Sequence, residues 1–429
     1  MTPDLTPFFM PPSPEGDARL TPNTRSMSGS MILGIAGQVR KMQAEGHDIC
    51  NLTVGDFSPA HFSIPDPLSH LIQKAVADGA NNYPPADGIP ELREAIVEWY
   101  KRDLGLDYPA ESVCVGSGAR PPIYTAWRLF VEPGDVTVSF LPAWNVGYYA
   151  HITESRHRFV PTSAETNFFP TVEQCREAMV DAKLMIINSP LNPTGTAMDS
   201  EVMRGIATAL VEENARRGWT NGQVGKERPC MLLFDQVYWM LTADGVQHHN
   251  PVNLVPESAP FVLHVDAISK CFAATGLRLG WGVVPPAIQP KMKALMGHVG
   301  SWAPRPVQVA CAEFLRSPVL VDTYMTEMRK QVAVRLNLLH SGIQDMRREG
   351  LPINAIAPQG AIYLSLSLDL SALGFETNEE VRRWLLEAAG VAVVPFAAFD
   401  LKGETGWFRM SIGAVGVDDL ARALERMEV

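Results

Sequence analysis

A lysine preceded by a serine and followed by an arginine is the part of this sequence best suited to covalent chemistry. Ser269 and Lys270 come shortly after the apolar run 261–265, and Arg278 lies eight positions beyond Lys270. The run predicts a buried parallel strand, and open α/β sheets bind their ligands just past such strand ends. The amine can form a Schiff base, while the hydroxyl and the guanidinium can hold a phosphate. The combination favours a covalently held, phosphorylated carbonyl cofactor; a surface lysine and arginine on a loop is the alternative.

Two more predicted strands also end in polar side chains. Asn192 comes shortly after an apolar strand, and Asp235 directly follows another. Because ligands of open α/β sheets bind at the carboxyl ends of the strands, Asn192, Asp235 and Lys270 should lie close together. Tyr238, three positions after Asp235, is within reach of the same ligand. A helix cap or an ordinary Asn-Pro turn would explain one of these side chains, but not three strand ends together.

A glycine-rich segment, residues 116–120, lies between a predicted strand and a predicted helix. Free backbone N–H groups in such a turn form a phosphate-binding nest at the helix N-terminus. The turn alone is weak evidence and is often only a loop. It gains weight because Ser269 and Arg278 independently indicate a phosphate.

Composition is that of a globular protein and makes several partners unlikely candidates. The 429 residues suffice for two or three structural units, with 46% hydrophobic and 19% charged residues. The formal net charge of −11 argues against a nucleic acid or an anionic membrane as partner. No apolar run reaches membrane-spanning length, so we expect no membrane association.

Cysteine and histidine usage indicates neither a disulfide framework nor a metal site. The six cysteines are scattered without a Cys-x-x-Cys pair, and the ten histidines show no ligand spacing. Reduced thiols in the cytoplasm are the expected state. Residues 1–30 are rich in Pro, Ser and Thr and lack the features of a signal peptide, so they are predicted to form a mobile arm.

Short strands and helices alternate along most of the chain, which predicts an α/β fold with a mostly parallel central sheet covered by helices. We assign this large domain to residues 61–317. From residue 318 a long helix and then three strand-like stretches predict a smaller α+β domain, residues 318–429. Residues 31–60 are expected to join that smaller domain.

The motifs together resemble those of the class I/II aminotransferase family, which are fold-type I pyridoxal-phosphate enzymes. The resemblance runs from about Ile32 to the C-terminus. In family order the motifs are N-L-T-V-G-D, N-Y-P-P-A-D-G-x-x-x-L-R, S-P-L-N-P-T-G, D-x-x-Y, S-K-x-x-x-x-x-G-L-R-x-G and W-F-R-M-S. As a set they are highly specific.

The resemblance implies a role for each strand-end residue. Lys270 is expected to form the internal aldimine with pyridoxal 5'-phosphate and, once released by substrate, to move the α-proton. Asp235 is expected to pair with the pyridine nitrogen and keep it protonated, which makes the ring an electron sink. Tyr238 and Asn192 are expected to hydrogen-bond the phenolic oxygen of the ring.

The remaining cofactor contacts implied by the resemblance concern the phosphate and the face of the ring. Ser269, Arg278 and the amides near Gly118 and Ala119 match the phosphate cradle. Trp144 matches an aromatic residue that stacks on the ring, although simple core packing is its alternative role.

Substrate binding and assembly are also implied. Arg409 matches the arginine that binds the substrate α-carboxylate in a bidentate pair, with the turn at Gly55 opposite. Asn192 belongs to the same substrate-binding set. Tyr83 matches a tyrosine that reaches the phosphate of the neighbouring subunit, which implies a homodimer with shared active sites.

Three departures from the family pattern bear on the site. Gln236 stands where the family usually has an acid, and we expect it to point away from the ring. Asn192 and Asp235 are 43 positions apart, longer than usual, and a polar surface excursion at 218–228 accounts for the excess. Phe396 replaces a common glycine near the mouth of the substrate pocket.

The expected activity is transfer of the α-amino group of an L-amino acid to a 2-oxo acid by ping-pong chemistry. A lyase or synthase of the same fold would use the same lysine, aspartate and arginine and stays open as the alternative. A cofactor sensor fused to a DNA-binding module lacks support, because no helix-turn-helix segment precedes the domain and the charge is acidic. A Schiff-base aldolase on a barrel would need neither Asp235 nor a phosphate nest.

Substrate choice depends on the residues that meet the amino-acid side chain. In the dicarboxylate-specific branch an arginine lies four positions before a Ser-x-x-Pro turn; here that position is Gly297. Four aromatic residues are expected to bring apolar surface toward the pocket: Trp144, Trp302, Phe57 and Phe396. We therefore predict a neutral or aromatic amino donor in preference to aspartate, unless Arg120 or Arg305 supplies the missing charge.

Overall fold

The computed structural model describes residues 2–9, 17–144, 146–220 and 223–428. Its strands, in chain order, are β1 (Cys50–Asn51), β2 (Val113–Gly116), β3 (Val136–Leu141), β4 (Arg156–Pro161), β5 (Ala182–Asn188), β6 (Met231–Asp235), β7 (Val262–Ala267), β8 (Gly280–Val283), β9 (Ile353–Ala355), β10 (Tyr363–Leu368), β11 (Val391–Ala392), β12 (Val394–Pro395) and β13 (Trp407–Ser411).

Helices alternate with the strands along the chain. In chain order they are α1 (Pro22–Arg25), α2 (Met31–Ala44), α3 (Asp66–Ala77), α4 (Pro90–Leu104), α5 (Arg120–Phe130), α6 (Val146–Thr153), α7 (Val172–Met179), α8 (Ser200–Arg216), α9 (Pro251–Leu254), α10 (Ile268–Cys271), α11 (Gln289–Val299), α12 (Arg305–Leu315), α13 (Pro318–Arg348), α14 (Asn378–Ala388) and α15 (Val417–Met427).

The central sheet has seven strands within the described ranges, in the order β2-β8-β7-β6-β5-β3-β4. Neighbours from β7 to β4 pair in parallel, whereas β8 runs antiparallel to both β2 and β7. Strands β2, β3, β6 and β7 are buried along their whole length, which explains their nearly continuous apolar runs. The predicted α/β fold with a mostly parallel sheet is confirmed.

Strand β8 escaped the sequence analysis because it contains two glycines, which weaken a strand pattern. A Cβ at Gly280 would lie 2.5 Å from the carbonyl carbon of Gly118. The glycine therefore allows the backbone of β8 to approach the turn that precedes α5. Strand β4, polar and only half-buried, was missed as well.

The C-terminal part of the chain forms its own layer. Strands β12, β13, β10 and β9 pair antiparallel in that order, and helix α13 packs against them. Buried residues of α13 recur at helical spacing: Val321, Met325, Met328, Val332, Leu336, Leu339, Ile343 and Met346. Strand β1 pairs in parallel with β11, so the chain before residue 60 contacts the C-terminal part. The exact domain boundaries stay a prediction.

Residues 23–29 of the N-terminal arm lie against helix α6. The Asn23 side-chain amide donates to the carbonyl of His151 over 2.9 Å, and the Tyr148 hydroxyl donates to the carbonyl of Gly29 over 3.2 Å. These bonds position the arm, which the sequence predicted to be mobile, beside the sheet. Residues 10–16 of the predicted arm lie outside the described residues.

The predicted surface excursion follows α8. Trp219 packs on Phe261, and its indole N–H donates to the carbonyl of Glu227 over 2.7 Å. Val224 is 82% exposed, as expected for a surface segment. Residues 221 and 222 lie outside the described residues.

Candidate active site

A cavity of about 700 Å³ lies at the carboxyl ends of the parallel strands. It is bounded by the sheet, by the C-terminal layer and by the N-terminal arm. The predicted site residues that line it are Gly55, Ala119, Trp144, Asn192, Asp235, Tyr238, Ser269, Lys270, Arg278 and Arg409. Residues up to 356 positions apart, such as Thr53 and Arg409, are in direct contact there.

Strand register positions the first of these side chains. Asn188 and Asp235, the last residues of β5 and β6, are direct partners in the parallel ladder. The Asn188 side chain donates to the carbonyl of Asp235 over 2.9 Å and accepts from the N–H of Asn192 over 2.8 Å. One asparagine therefore holds both the Asp235 strand end and the turn that carries Asn192.

Lys270 lies on the short helix α10, directly after β7. Its ammonium donates to the carbonyl of Gly55 over 2.7 Å. Burial lowers the pKa of Lys270 to about 8; Asp56 opposes this shift, whereas the positive charge of Arg409 adds to it. A lysine with a lowered pKa is partly unprotonated near neutral pH, as a nucleophilic amine or a general base must be.

Asp235 points into the cavity from the end of β6. Burial raises the pKa of its carboxyl to about 6, although the Val237 N–H at 3.2 Å and the charge of Lys270 oppose the shift. No arginine or lysine among the described residues forms a salt bridge with it. A buried carboxyl of this kind is stabilised as the anion when a cationic ligand atom lies beside it.

Two tyrosines meet at the floor of the cavity. The hydroxyls of Tyr238 and Tyr363 are 2.6 Å apart, and burial together with Tyr363 raises the pKa of Tyr238 well above its usual value. The Lys270 ammonium lies 5.8 Å from the centre of the Tyr238 ring. Tyr238 is therefore a neutral hydrogen-bonding group next to the amine.

Arg409, on β13, closes the cavity from the C-terminal layer. Its guanidinium donates to the Asn192 side-chain oxygen over 3.0 Å and to the Thr53 carbonyl over 2.6 Å. It lies between the rings of Tyr363 and Phe399, at 4.8 and 4.9 Å from their centres. Burial lowers its pKa, and its Nε has no hydrogen-bond partner within the described ranges. A guanidinium with unused donor capacity is suited to bind a carboxylate.

Arg278 and the glycine-rich turn form the other end of the cavity. The Arg278 guanidinium donates to the carbonyls of Thr275 and Ser117 over 2.7 and 3.0 Å. Gly118 has φ +89°, and a Cβ there would lie 2.4 Å from this guanidinium. Glycine is required for both reasons: the left-handed backbone and the close approach.

The structure changes the predicted part that Gly118 plays. Its N–H donates to the carbonyl of Gly116 over 2.8 Å, and Gly118 does not line the cavity. The N–H of Ala119 has no such backbone bond within the described ranges, and Ala119 does line the cavity. Ala119, Ser269 and Arg278 are therefore the groups available to a phosphate, while Gly118 makes room for the arginine.

The mouth of the cavity is lined by residues that the sequence analysis placed only in part. Trp144 lines it, and the Arg120 guanidinium lies 4.9 Å above the Trp144 ring. Apolar and basic residues of the arm, α2 and α6 complete this mouth: Met27, Ile32, Leu33, Arg40, Tyr148 and Ile152.

Three of the four aromatic residues expected at the pocket do not line it. Phe396 is fully buried among Phe168, Phe399 and Trp407, because these rings pack on one another behind β13. Phe57 packs on Phe62, and Trp302 packs on Tyr83 with ring centres 5.0 Å apart. Within one chain, only Trp144 fulfils the expectation.

Two further expectations concern residues beside the site. Gln236 is fully buried, its side chain accepts from the Asn250 amide over 2.8 Å, and it does not line the cavity, so it points away as expected. Tyr83 is 80% exposed and lies outside the cavity of its own chain.

The sequence analysis missed Tyr363, Asp56 and Thr275. The Thr275 hydroxyl donates to the Asp56 carboxylate over 2.6 Å, which joins the Gly55 turn to the segment after Lys270. The only signal for Tyr363 was a tyrosine at the start of a strand that alternates leucine and serine. Asp56 stood in a quoted motif but had no chemistry assigned to it.

Comparison with known proteins agrees with this geometry. The family described as Aminotransferase class I and II matches residues 47–217 and 221–427. An aspartate aminotransferase of Pyrococcus horikoshii is 30% identical over 384 residues, 89% of this chain and 90% of the relative. A probable aspartate/prephenate aminotransferase of Thermus aquaticus is 30% identical over 418 residues, 95% of this chain and 98% of the relative.

Solved structures are similar over the same length. The aspartate aminotransferase of Thermus thermophilus with maleate has a TM-score of 0.83 at 26% identity, covering 95% of this chain and 98% of the other. A tetra mutant of that enzyme, complexed with tryptophan, gives the same values.

The fold and the cavity thus define a fold-type I transaminase that uses pyridoxal 5'-phosphate. The chain belongs to the class I and II aminotransferase family. The side chains fit the cofactor: the Lys270 amine can bond its aldehyde, the buried Asp235 carboxyl, without a salt bridge among the described residues, suits its ring nitrogen, and the Arg278 guanidinium suits its phosphate. No cluster of three or more His, Cys, Asp or Glu in the described ranges could hold a metal ion.

Proposed function

We propose that the enzyme moves the amino group of a neutral or aromatic L-amino acid to a 2-oxo acid, and that Lys270, Asp235 and Arg409 carry the reaction. The observation behind the proposal is the convergence of a half-buried amine, a buried carboxyl and a buried guanidinium on one cavity. In this family the cofactor supplies an electron sink for negative charge at the α-carbon of the amino acid.

Each of the three residues has a defined task in the proposal. Arg409 binds the α-carboxylate through a bidentate pair, and Asn192 keeps the guanidinium oriented over 3.0 Å. The Lys270 Nζ would hold the cofactor covalently and, once the substrate amine has displaced it, would take the proton from the α-carbon and deliver it to the cofactor. The Asp235 carboxylate would pair with the ring nitrogen of the cofactor, and the Tyr238 hydroxyl would donate a hydrogen bond to the ring oxygen.

The preference for a neutral or aromatic donor rests on the mouth of the cavity. Gly297 provides no charge, and Arg305 donates to Asn82 and does not line the cavity. Met27, Ile32 and Trp144 present apolar surface instead. The tryptophan complex of the Thermus thermophilus tetra mutant is a precedent for an aromatic amino acid in this architecture.

Arg120 is the cation we assign to the acceptor. It lines the mouth and has no salt bridge among the described residues, so its guanidinium is available to the distal carboxylate of a 2-oxo acid such as 2-oxoglutarate. An exposed guanidinium adds little affinity, which agrees with a co-substrate role and not with strict aspartate specificity.

A donor panel tests the substrate proposal. Aspartate, glutamate, alanine, leucine, phenylalanine, tyrosine and tryptophan are offered with 2-oxoglutarate, and both the new amino acid and free ammonia are measured. We expect kcat/KM for an aromatic or neutral donor to exceed that for aspartate. A higher value for aspartate than for every other donor would refute the preference, and ammonia as the main product would indicate a lyase.

We further propose a homodimer with shared active sites, supported by Tyr83. This ring is exposed and rests on Trp302, outside its own cavity. Mixing a Tyr83→Phe subunit with a Lys270→Ala subunit should place both changes in one site and leave the second site intact. Hybrid activity well above that of either parent supports sharing; activity from a strict monomer contradicts it.

A cytoplasmic location is the last part of the proposal. All six cysteines are buried free thiols, which is the usual state in a reducing compartment. Among the described residues, no helix has the length and apolar character needed to cross a membrane. Fractionation of cells that express the untagged protein would test the location.

A further inference from the structure

A second buried carboxyl lies behind the cavity and takes no part in the proposed reaction. Asp266, the fifth residue of β7, is completely buried and does not line the cavity. It lies four positions before Lys270 in the chain. Burying a carboxyl is costly unless hydrogen bonds compensate for the lost water, so its partners indicate what it does.

Three donors from different parts of the chain converge on Asp266. The Tyr100 hydroxyl and the Trp239 indole N–H donate to Oδ2 over 3.0 and 2.8 Å, and the Ala267 N–H donates to Oδ1 over 2.7 Å. The Tyr100 hydroxyl in turn accepts from the Trp281 indole over 3.0 Å. The carboxyl thereby connects α4, β8, the segment after β6 and the start of α10.

Two of these donors adjoin the proposed reactive groups. Trp239 follows Tyr238 in the chain, and Ala267 is the N-cap residue directly before the helix that carries Lys270. We propose that Asp266 is a positioning residue, which fixes Tyr238 and Lys270 relative to each other through Trp239 and Ala267. The inference rests on the functions proposed above for Lys270 and Tyr238.

The surroundings of Asp266 leave no easy substitute for these bonds. The Trp99 ring lies 5.2 Å from that of Trp239 and 6.1 Å from that of Trp281, and excludes water from the cluster. The titratable groups that face Asp266 are Tyr100, Asp235 and Cys271. Burial raises the pKa of Asp266 to about 8, and the charge of Asp235 adds to the shift, so near neutral pH the carboxyl holds a proton. In that state the carboxyl O–H can donate a hydrogen bond to the Tyr100 hydroxyl, 3.0 Å from Oδ2, because a hydroxyl both donates and accepts.

The substitution Asp266→Asn is the direct test because it keeps the shape. An asparagine has one oxygen, so its amide nitrogen must face one of the three donors and lose that bond. Trp239→Phe removes a single donor and leaves the aspartate in place. Asp87→Asn is the matched control: Asp87 is 3% exposed and accepts from Gln289 over 3.0 Å, but it does not line the cavity.

The first measurement uses the protein without cofactor. An amine-reactive reagent labels Lys270 across a pH series, and mass spectrometry gives the midpoint pH of its reactivity. We expect Asp266→Asn and Trp239→Phe each to shift this midpoint by about 0.5 pH units or more. The control Asp87→Asn should lower Tm and leave the midpoint unchanged. An unchanged midpoint in both variants, or an equal shift in the control, overturns the inference.

The second measurement uses the holoenzyme. Both variants should lower kcat about tenfold, equivalent to about 1.4 kcal/mol, with KM for the amino donor nearly unchanged and the pH midpoint of the cofactor absorption band displaced. If Asp266→Asn does not fold, Trp239→Phe decides the outcome alone. Failure of the proposed function would appear separately, as a wild-type enzyme without transamination.

Discussion

The floor and the mouth of the cavity differ in how deeply their side chains are buried and in what holds them in place. At the floor, the groups are buried and held by short hydrogen bonds: Lys270 to Gly55 over 2.7 Å and Arg409 to Thr53 over 2.6 Å. At the mouth, the Arg120 guanidinium lies over the Trp144 ring and forms no salt bridge with any described residue, and Leu33 is 68% exposed. Burial lowers the pKa values of both Lys270 and Arg409 at the floor.

This difference assigns the chemistry to the floor and the choice of substrate to the mouth. Removing water strengthens every charge interaction, so a few fixed groups at the floor can stabilise charge at the α-carbon that all amino acids share. The mouth meets the variable side chain, where exposed groups contribute less and can adapt. Substitutions at the floor should therefore lower kcat for every substrate, whereas substitutions at the mouth should change which substrate is preferred.

Replacing Lys270 should have the largest effect. Lys270→Ala removes both the covalent attachment and the proposed general base, so kcat should fall by about 10⁴ or more, since a positioned base alone contributes about 10²–10⁴. Steady-state turnover measures the loss, and borohydride reduction of the wild type followed by peptide mapping should label Lys270. Labelling of another lysine would contradict the assignment.

Replacing Asp235 should have the next largest effect on kcat. Asp235→Ala removes the charge opposite the ring nitrogen, and kcat should fall by about 10²–10³, as for other buried groups that stabilise a developing charge. Covalent attachment of the cofactor, seen as its absorption band, should persist. Near-normal turnover would show that Asp235 does not control the electron sink.

The shifted pKa of Lys270 predicts a stability difference in the protein without cofactor. Below pH 8 the buried group must carry a proton in both states, which costs the folded state about 3 kcal/mol for a pKa lowered from 10.5 to about 8. Between pH 8 and 10.5 only the unfolded chain binds the proton, so stability from this group rises with pH. Lys270→Met should therefore be more stable than wild type at pH 7 in urea unfolding, and the advantage should shrink by pH 10. Parallel pH profiles for the two proteins, or the same change in exposed Lys402→Met, would contradict this.

Arg409→Lys should cost less, because it keeps the charge but loses the bidentate pair. We expect kcat/KM to fall about 10- to 100-fold for every donor, from the loss of about 1.5–3 kcal/mol in charge-assisted bonds. The donor panel measures the effect. A loss confined to one class of donor would assign Arg409 to the side chain and not to the shared carboxylate.

Arg120→Met should have the smallest effect and should sharpen the contrast. A partly exposed ion pair contributes about 0.2–1 kcal/mol, so kcat/KM for glutamate or 2-oxoglutarate should fall about two- to fivefold. Values for phenylalanine and leucine should be unchanged. Arg305→Met is the control, since Arg305 does not line the cavity; an equal effect from it would show that the distal carboxylate lies elsewhere.

Much of the floor could be predicted because its residues lie in local patterns. A buried parallel strand is an apolar run, and its carboxyl end adjoins the ligand, so Asn192, Asp235 and Lys270 were identifiable one strand at a time. The structure adds the register, in which Asn188 faces Asp235 and holds the Asn192 turn. Their convergence follows from the right-handed parallel connections that such a sheet requires.

The groups that could not be predicted depend on long-range packing. Tyr363 meets Tyr238 across 125 positions, and Asp266 joins Tyr100 across 166, so no local spacing records either contact. Phe396 illustrates the converse: its place in the family motif suggested a pocket residue, but it is buried against Phe168 and Trp407 instead.

By itself, the sequence determined the fold class and the residues at the strand ends, because these follow from short periodic patterns and from side-chain chemistry, while the resemblance of its motifs implied the cofactor. Tertiary structure decided which side chains are desolvated together, and hence which pKa values move and which cations stay free. Desolvation depends on every atom that packs around a group, and most of those atoms come from distant parts of the chain. That is why Lys270 could be found from its neighbours in sequence, whereas the positioning carboxyl of Asp266 could be found only from its neighbours in space.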